Sequence, residues 1–439
     1  MTNCNYACQS AAHGISRRSL LAGLLGGSVG AGLVDAGLGH IAGLSHLIRP
    51  AVAGELAAQQ KRVLVFFMAG GLSQLESWDP KPGTDTGGPF RAISTSVPGV
   101  QISELLPYTA QQMHRLSLVR SVNTKEDDHG KGAIFIETGR RDMPGQRFPT
   151  LGSAVSRLLA PAGAALPGYV HIQPGGAGVN KADAAFLGPK FASISIDNGK
   201  PPADLLRPEG LSPAADLARN DLRRKANQRF TARRRTAETE ADGYSYDQAL
   251  QLMERADVFD VTKEPAADQE RYGSHDFGRH CLLARRLLEH GMTCVKVSHS
   301  NYDTHFENFD FHIEQLGEFD RPFATLIDDL AQRGMLETTL VLVISEFGRT
   351  PNINPGLGRD HWGSAWSVAM AGCGIQKGAV IGKTNDNGTA VADREVDGRH
   401  LFHTYLAALG LDPKDNYPNL NRPIPIGDPA GEKINELLA

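Results

Sequence analysis

Four short polar clusters in this 439-residue chain set carboxylates beside imidazoles or a guanidinium: Asp128-His129, Asp303 with His305, Glu346 with Arg349, and Asp360-His361. Carboxylate oxygen and imidazole nitrogen are the donors that zinc, manganese and similar divalent ions take. Asp303, His305, Glu346, Asp360 and His361 are therefore candidate metal ligands; the competing reading is a hydrogen-bond network with Asp360 paired to Arg359 or Arg349. His129 opens an apolar helical stretch, and a helix N-terminus there gathers unpaired N–H groups and partial positive charge, which suits a phosphate or sulfate oxygen. At that mouth three roles are open to His129: metal ligand, general acid or base, and nucleophile. Asp128 either orients its ring or caps the helix. Arg349 and Lys131 carry cations that match tetrahedral oxyanions, each with an ordinary ion-pair role as the alternative. Ser73 adds a hydroxyl after the Gly70-Gly71 turn, without the Gly-X-Ser-X-Gly context of a hydrolase elbow.

These clusters follow apolar runs that must place them. Residues 62–69, 117–122, 169–173, 293–298, 339–345 and 367–371 are short and nearly continuous in Val, Ile, Leu and Phe, as in strands covered on both faces. Helical patterns over 150–159, 274–290, 309–333 and 399–409 alternate with them. The alternation predicts a three-layer α/β/α fold with a mostly parallel central sheet. In such sheets ligands bind beyond the carboxyl ends of the strands, where the polar clusters fall. Residues 174–265 are Gly/Ala/Pro-rich and then strongly charged, and read as an insertion or cap within a single domain over 54–439.

The first 53 residues read differently. Ser16-Arg17-Arg18-Ser19 precedes a Gly-rich apolar run, and Ala51-Val52-Ala53 offers a small-residue cleavage site. This is the pattern of a twin-arginine export signal, which predicts a periplasmic or envelope location and leaves an uncleaved anchor as the alternative. The formal net charge is −4, and the one basic run, from Arg223 to Arg235, is interleaved with Ala, Glu and Gln. A solvated helix face is expected there, and no nucleic-acid partner. Of five cysteines, Cys4 and Cys8 lie in the leader, while Cys281, Cys294 and Cys373 sit in apolar stretches, as buried thiols do.

Taken together, GGLSQLESWDPKPG, HGKGAIFIETGR, YDTHFENF, SEFGRTP and GRDHWG resemble the bacterial family called domain of unknown function 1501, from about Arg62 to Asp412. That family resembles the alkaline phosphatase and sulfatase superfamily, so the resemblance implies an alkaline phosphatase-like fold and ester hydrolysis with bound metal. Thr138-Gly139-Arg140 matches the end of the sulfatase nucleophile helix, which sets His129 in the nucleophile's place. Glu346-Phe347 stands for an Asp-His ligand pair, His361 for a later ligand, and Asp303 with His305 for the remaining two. The departures are equally clear. Gly70-Gly71 replaces an acidic ligand after the first strand, Asp303 and His305 are two apart instead of four, and no Ser, Thr or Cys stands at the nucleophile position.

The expectation is an exported hydrolase of phosphate or sulfate esters, holding a divalent metal (zinc or manganese) and taking a small anionic ester. Its rival is a non-catalytic metal- or anion-binding protein of an envelope complex on the same fold.

Overall fold

Arg62–Met68 forms strand β1 at the middle of the molecule, and its side chains alternate between two apolar layers. Leu64, Phe66 and Met68 enter one core; Val63, Val65 and Phe67 enter the other. A strand apolar on both faces can be satisfied only between two covering layers. The computed structural model describes residues 59–161, 164, 166–197, 209–231, 250, 252–420 and 422–439. The twin-arginine segment, Ala51-Val52-Ala53, Cys4, Cys8 and Arg233-Arg234-Arg235 lie outside the described residues.

The remaining strands of the main sheet are β2 (Leu116–Val122), β3 (Tyr169–Gln173), β4 (Ala177–Asn180), β5 (Ser193–Asp197), β6 (Cys294–His299), β7 (Thr339–Ile344), β8 (Trp366–Ala371) and β9 (Val380–Ile381). Their spatial order is β9-β2-β8-β7-β1-β6-β3-β5-β4. β1 pairs in parallel with both β6 and β7, and β3 pairs in parallel with β6 and β5. Only β8, between β2 and β7, and β4, at the edge on β5, run against the rest. Hydrophobic runs of this kind carry no information on direction, so the reversal of β8 is a property of the connections alone.

One face is covered by α4 (Asp276–Glu289) and α5 (Asn308–Gln332). The other is covered by α1 (His129–Thr138), α2 (Leu151–Leu159) and α6 (Gly398–Ala408). The fold is α/β, three-layered and mostly parallel. The segment expected to be an insertion at about 174–265 begins inside the sheet, since β4 and β5 extend its edge; beyond them it carries the long charged helix α3 (Pro213–Thr231). Cys281, Cys294 and Cys373 are buried free thiols. Among the described residues no helix is long and apolar enough to cross a membrane.

Candidate metal centre

The polar clusters meet at the carboxyl ends of β1, β2, β6 and β7. Gly70 and Gly71, in the turn that follows β1, have φ of +114° and +95°, a region closed to most side chains. A Cβ on Gly70 would lie 2.4 Å from the Asp303 nitrogen. Glycine is thus what lets the loop after β6 cross the end of β1. After β2, Asp128 accepts the Lys131 N–H at 2.9 Å and caps α1, which puts His129 at its first helical position. Gly132 lets the helix press on the end of β7, since a Cβ there would meet the Glu346 carbonyl at 2.8 Å. A two-stranded ribbon pairs Gly348–Arg349 with His361–Trp362 and sets Arg349 opposite His361.

Three imidazoles close on one carboxylate. His129 Nε2 is 3.4 Å from Asp303 Oδ2. His361 Nε2 and His305 Nε2 are 3.1 and 3.2 Å from Asp303 Oδ1, and lie 3.1 Å from each other. Behind each ring an acceptor holds Nδ1 at 2.7 Å: Glu346 Oε1 for His129, Asp360 Oδ1 for His305, and the Asp127 carbonyl for His361. A carbonyl or carboxylate oxygen accepts, so each Nδ1 donates, and a neutral ring then presents a lone pair on Nε2. This is how histidines are oriented toward metals. Two ligands about 2.1 Å from a tetrahedral ion stand roughly 3.4 Å apart, close to the spacings seen here. One donor atom from each of His129, Asp303 and His361 falls within a mutual 4.8 Å. The donor set of His129, Asp303 and His361 fits a divalent ion, and His305 stands beside it with its Nε2 3.1 Å from that of His361.

The carboxylates divide between two layers. Asp303, nearly half exposed, faces the imidazoles. Burial opposes its charge, but hydrogen bonds from Arg349 and His361 and the Arg349 cation bring its pKa down to about 2. Glu346 and Asp360, expected among the ligands, instead stand behind His129 and His305. Glu346 also accepts the Gly70 N–H at 2.8 Å and lies 3.1 Å from the Ser345 hydroxyl. Its hydrogen bond is the largest influence raising the pKa of His129. Phe347, fully buried, packs against the rings of His129 and His361 with centroids 4.9 and 4.5 Å away.

The expected anion clamps are placed differently from one another. Arg349 is fully buried: it donates to the carbonyls of Gly70, Gly71 and Arg359 and to Asp303 Oδ1 at 2.5 Å, so its fork is taken by the protein. Ser73 is also buried, its N–H donating to His312 Nε2, on the side of the fully buried Glu76. Both are fully buried, Ser73 because the loop after β1 folds inward and Arg349 because its guanidinium turns to the protein's own acceptors. Lys131 is exposed at the third position of α1. Asp128, exposed and engaged by the Lys131 N–H, does not touch the His129 ring; it acts as the helix cap.

Beneath the centre, Glu76 and Arg359 form a fully buried ion pair at 2.8 Å. Arg359 also donates to the carbonyls of Thr350, Pro351 and Thr86, and its N–H reaches the Thr304 carbonyl. Through its guanidinium Arg359 ties the loop leading to His361 to the loop after β1, and through its backbone N–H it ties in the loop carrying Asp303 and His305. Thr138-Gly139-Arg140 is a clasp: Gly139 ends α1 at φ +64° with Phe402 against it, and Arg140 donates to the Pro425 and Gly427 carbonyls. His400 and His403 lie elsewhere, one in the capping box of α6 and the other donating to the Asp428 carbonyl. Asp127 and Phe347 are additions that residue types did not reveal. Asp127 acts through its main chain, and Phe347 acts through packing alone.

The family described as "Protein of unknown function (DUF1501)" matches residues 60–438. No curated protein sequence matches the chain. Similar solved structures include a protein of the alkaline phosphatase superfamily from Vibrio parahaemolyticus, with 11% identity over 80% of this chain and 66% of that one and a TM-score of 0.33. This chain therefore spans just under two thirds of that protein. The PsFucS1 sulfatase from Pseudoalteromonas sp. has 14% identity over 84% and 72%, with a TM-score of 0.37. Alkaline phosphatase from the Antarctic bacterium TAB5 has 13% identity over 80% and 98%, with a TM-score of 0.34.

Proposed function

This chain belongs to the DUF1501 family, and from that premise we propose that it is a single-metal hydrolase of small phosphate or sulfate esters. The observation that carries the reading is the convergence of three Nε2 atoms on Asp303, each ring held from behind at Nδ1. His129, His361 and Asp303 would hold the ion, with His305 beside them, and zinc or manganese suits that donor set. A divalent ion there supplies Lewis-acid polarisation of an ester oxygen and lowers the pKa of bound water. The protein's own residues do the rest. Arg349 keeps Asp303 ionised and aimed, Glu346 and Asp360 fix two rings, and the N-terminus of α1 with Lys131 favours an anion on the open side.

Attack by water fits better than a covalent route. Ser345 donates to the Met68 carbonyl and Thr304 is buried against Asn308, so these hydroxyls are committed. His129 Nδ1 is held by Glu346 and its Nε2 is grouped with donors from Asp303 and His361, which favours ligand over nucleophile. The second reading, a metal- or anion-binding protein without catalysis, is favoured by Arg349, whose guanidinium is spent on the protein. The Arg17-Arg18 leader supports placing either activity outside the cytoplasm, with a small anionic ester as the partner in the first case.

The test is metal analysis of natively purified full-length protein, then turnover of aryl phosphates and aryl sulfates by wild type and His361→Ala. About one equivalent of zinc or manganese and turnover abolished by His361→Ala is the expected result. A bound metal with no turnover of any ester selects the binding protein, and turnover untouched by His361→Ala removes the site.

A further inference from the structure

We propose that Phe306 and Leu357 form a substrate subsite beside this centre that takes the apolar group of an anionic ester, an inference resting on the metal reading above. Phe306 directly follows His305, whose Nε2 is 3.2 Å from Asp303. It is 70% exposed and forms an isolated antiparallel bridge with Leu357, itself 61% exposed. Single exposed apolar side chains are ordinary on protein surfaces and need no purpose. This pair is different because the backbone is forced into place to present it.

Leu357 has φ +55° and Glu307 has φ +51°, a left-handed conformation that bulky L residues rarely adopt. A glycine at position 357 would make the turn without strain; the chain carries leucine there and leaves its side chain in water. The flanking glycines are needed for close approach: a Cβ on Gly356 would lie 2.4 Å from the Phe306 ring, and one on Gly358 would overlap the His305 carbonyl. The hairpin is then pinned by Asn354, whose Oδ1 accepts the N–H groups of Gly356 and Gly358 while its Nδ2 donates to the His305 carbonyl. Glu307 and Asn308 N–H groups close on the carbonyls of Gly356 and Leu357 at 3.0 Å. The backbone that carries the pair is therefore fixed relative to His305, as the support of a specificity element must be.

Around it the surface is charged. Asp303 and Asp360 are both about half exposed, and Lys131 lies at the open N-terminus of α1. A ligand whose anionic head meets the metal while its apolar body lies on Phe306 and Leu357 would satisfy both regions at once. A wholly polar ester would leave the pair in water. An extra apolar contact of this kind discriminates by about tenfold.

The experiment titrates full-length zinc-loaded protein with phenylphosphonate and with methylphosphonate, followed by calorimetry. Wild type is expected to bind phenylphosphonate about tenfold more tightly or better. Phe306→Ser and Leu357→Asn should each remove most of that preference while leaving methylphosphonate binding unchanged; asparagine accepts the left-handed backbone, so the second variant keeps the hairpin if the first fails to fold. Equal binding of the two phosphonates by wild type, or a preference that survives Leu357→Asn, overturns the subsite. Protein that holds zinc and binds both equally keeps the metal and loses the subsite, whereas protein that holds no zinc and still prefers phenylphosphonate does the reverse.

Discussion

Arg349, with no exposed side chain, reaches out to Asp303, whose carboxylate is nearly half exposed, and the two meet at 2.5 Å. A buried cation aims an accessible anion, and the three histidines close on what it aims. Removing the cation should therefore act on the metal through Asp303. We expect Arg349→Met to raise the Asp303 pKa toward the ordinary carboxylate range and to weaken zinc binding by about 10- to 100-fold, read by competition with a chromophoric chelator. Arg349→Lys should not restore it, because one ammonium cannot serve Gly70, Gly71, Arg359 and Asp303 together.

Glu346 sets the state of His129. In metal-free protein its hydrogen bond raises the His129 pKa, so proton binding there favours the folded state: the contribution is complete below the unfolded value near 6.5 and is lost as pH rises through the folded value. Glu346→Gln keeps an acceptor and removes the charge. The His129 pKa should fall, followed by NMR of the metal-free protein, and zinc affinity should drop by about tenfold. An unchanged His129 titration would separate the two residues.

His171 reports on the sheet instead of the site. It is buried in β3 with its Nε2 2.8 Å from the Ser298 hydroxyl, and burial, with Lys296 nearby, holds its pKa well below the usual value. The unfolded chain then binds a proton that the folded one refuses, so stability falls as pH drops below about 6.5, by at most about 1.4 kcal/mol per pH unit for one proton. His171→Gln should flatten the dependence of denaturation midpoint on pH between about 6.5 and 5 relative to wild type.

Gly70→Ala tests the crossing of the β6 loop over β1. The added Cβ meets the Asp303 nitrogen and the Tyr302 backbone at a φ of +114°. A loss of about 3 kcal/mol in denaturant stability, with metal binding abolished, is expected. Gly83→Ala, at φ +77° with nothing near its Cβ, should cost about 1 kcal/mol and leave metal binding intact.

Breaking the buried pair below the centre should be costly in stability. Burial disfavours the Glu76 carboxylate, yet Arg359 and His312 bring its pKa below the ordinary value. Glu76→Gln leaves Arg359 without its counter-charge, so a loss of about 3–5 kcal/mol is expected in urea unfolding. A variant as stable as wild type would show that Arg359 is held by its carbonyl partners alone.

Much of the frame was legible from local pattern. Apolar runs such as RVLVFFM and TLVLVI bury both faces of a strand wherever they are placed, and the helical stretches between them dictate covering layers. The capped start of α1 at Asp128 was legible too, since capping involves neighbours in sequence. What local pattern could not supply was the pairing of residues far apart. Asp303 and His361 looked like ligands by type, and so did Glu346 and Asp360. Type does not distinguish a carboxylate that faces an Nε2 from one that faces an Nδ1.

That distinction is made by distances of a few ångströms between chain segments hundreds of residues apart, such as Glu346 behind His129 and the Asp127 carbonyl behind His361. The sequence by itself determined the layered sheet and the set of polar groups delivered to its carboxyl edge, because hydrophobic burial and capping act over short windows. Only the tertiary structure decided which groups stand first and which stand behind them, turned Arg349 from an anion clamp into a support for Asp303, and buried Ser73. Those assignments depend on where the Gly70, Gly132 and Gly358 backbones can touch their neighbours, and close packing between distant segments has no signature within any one of them.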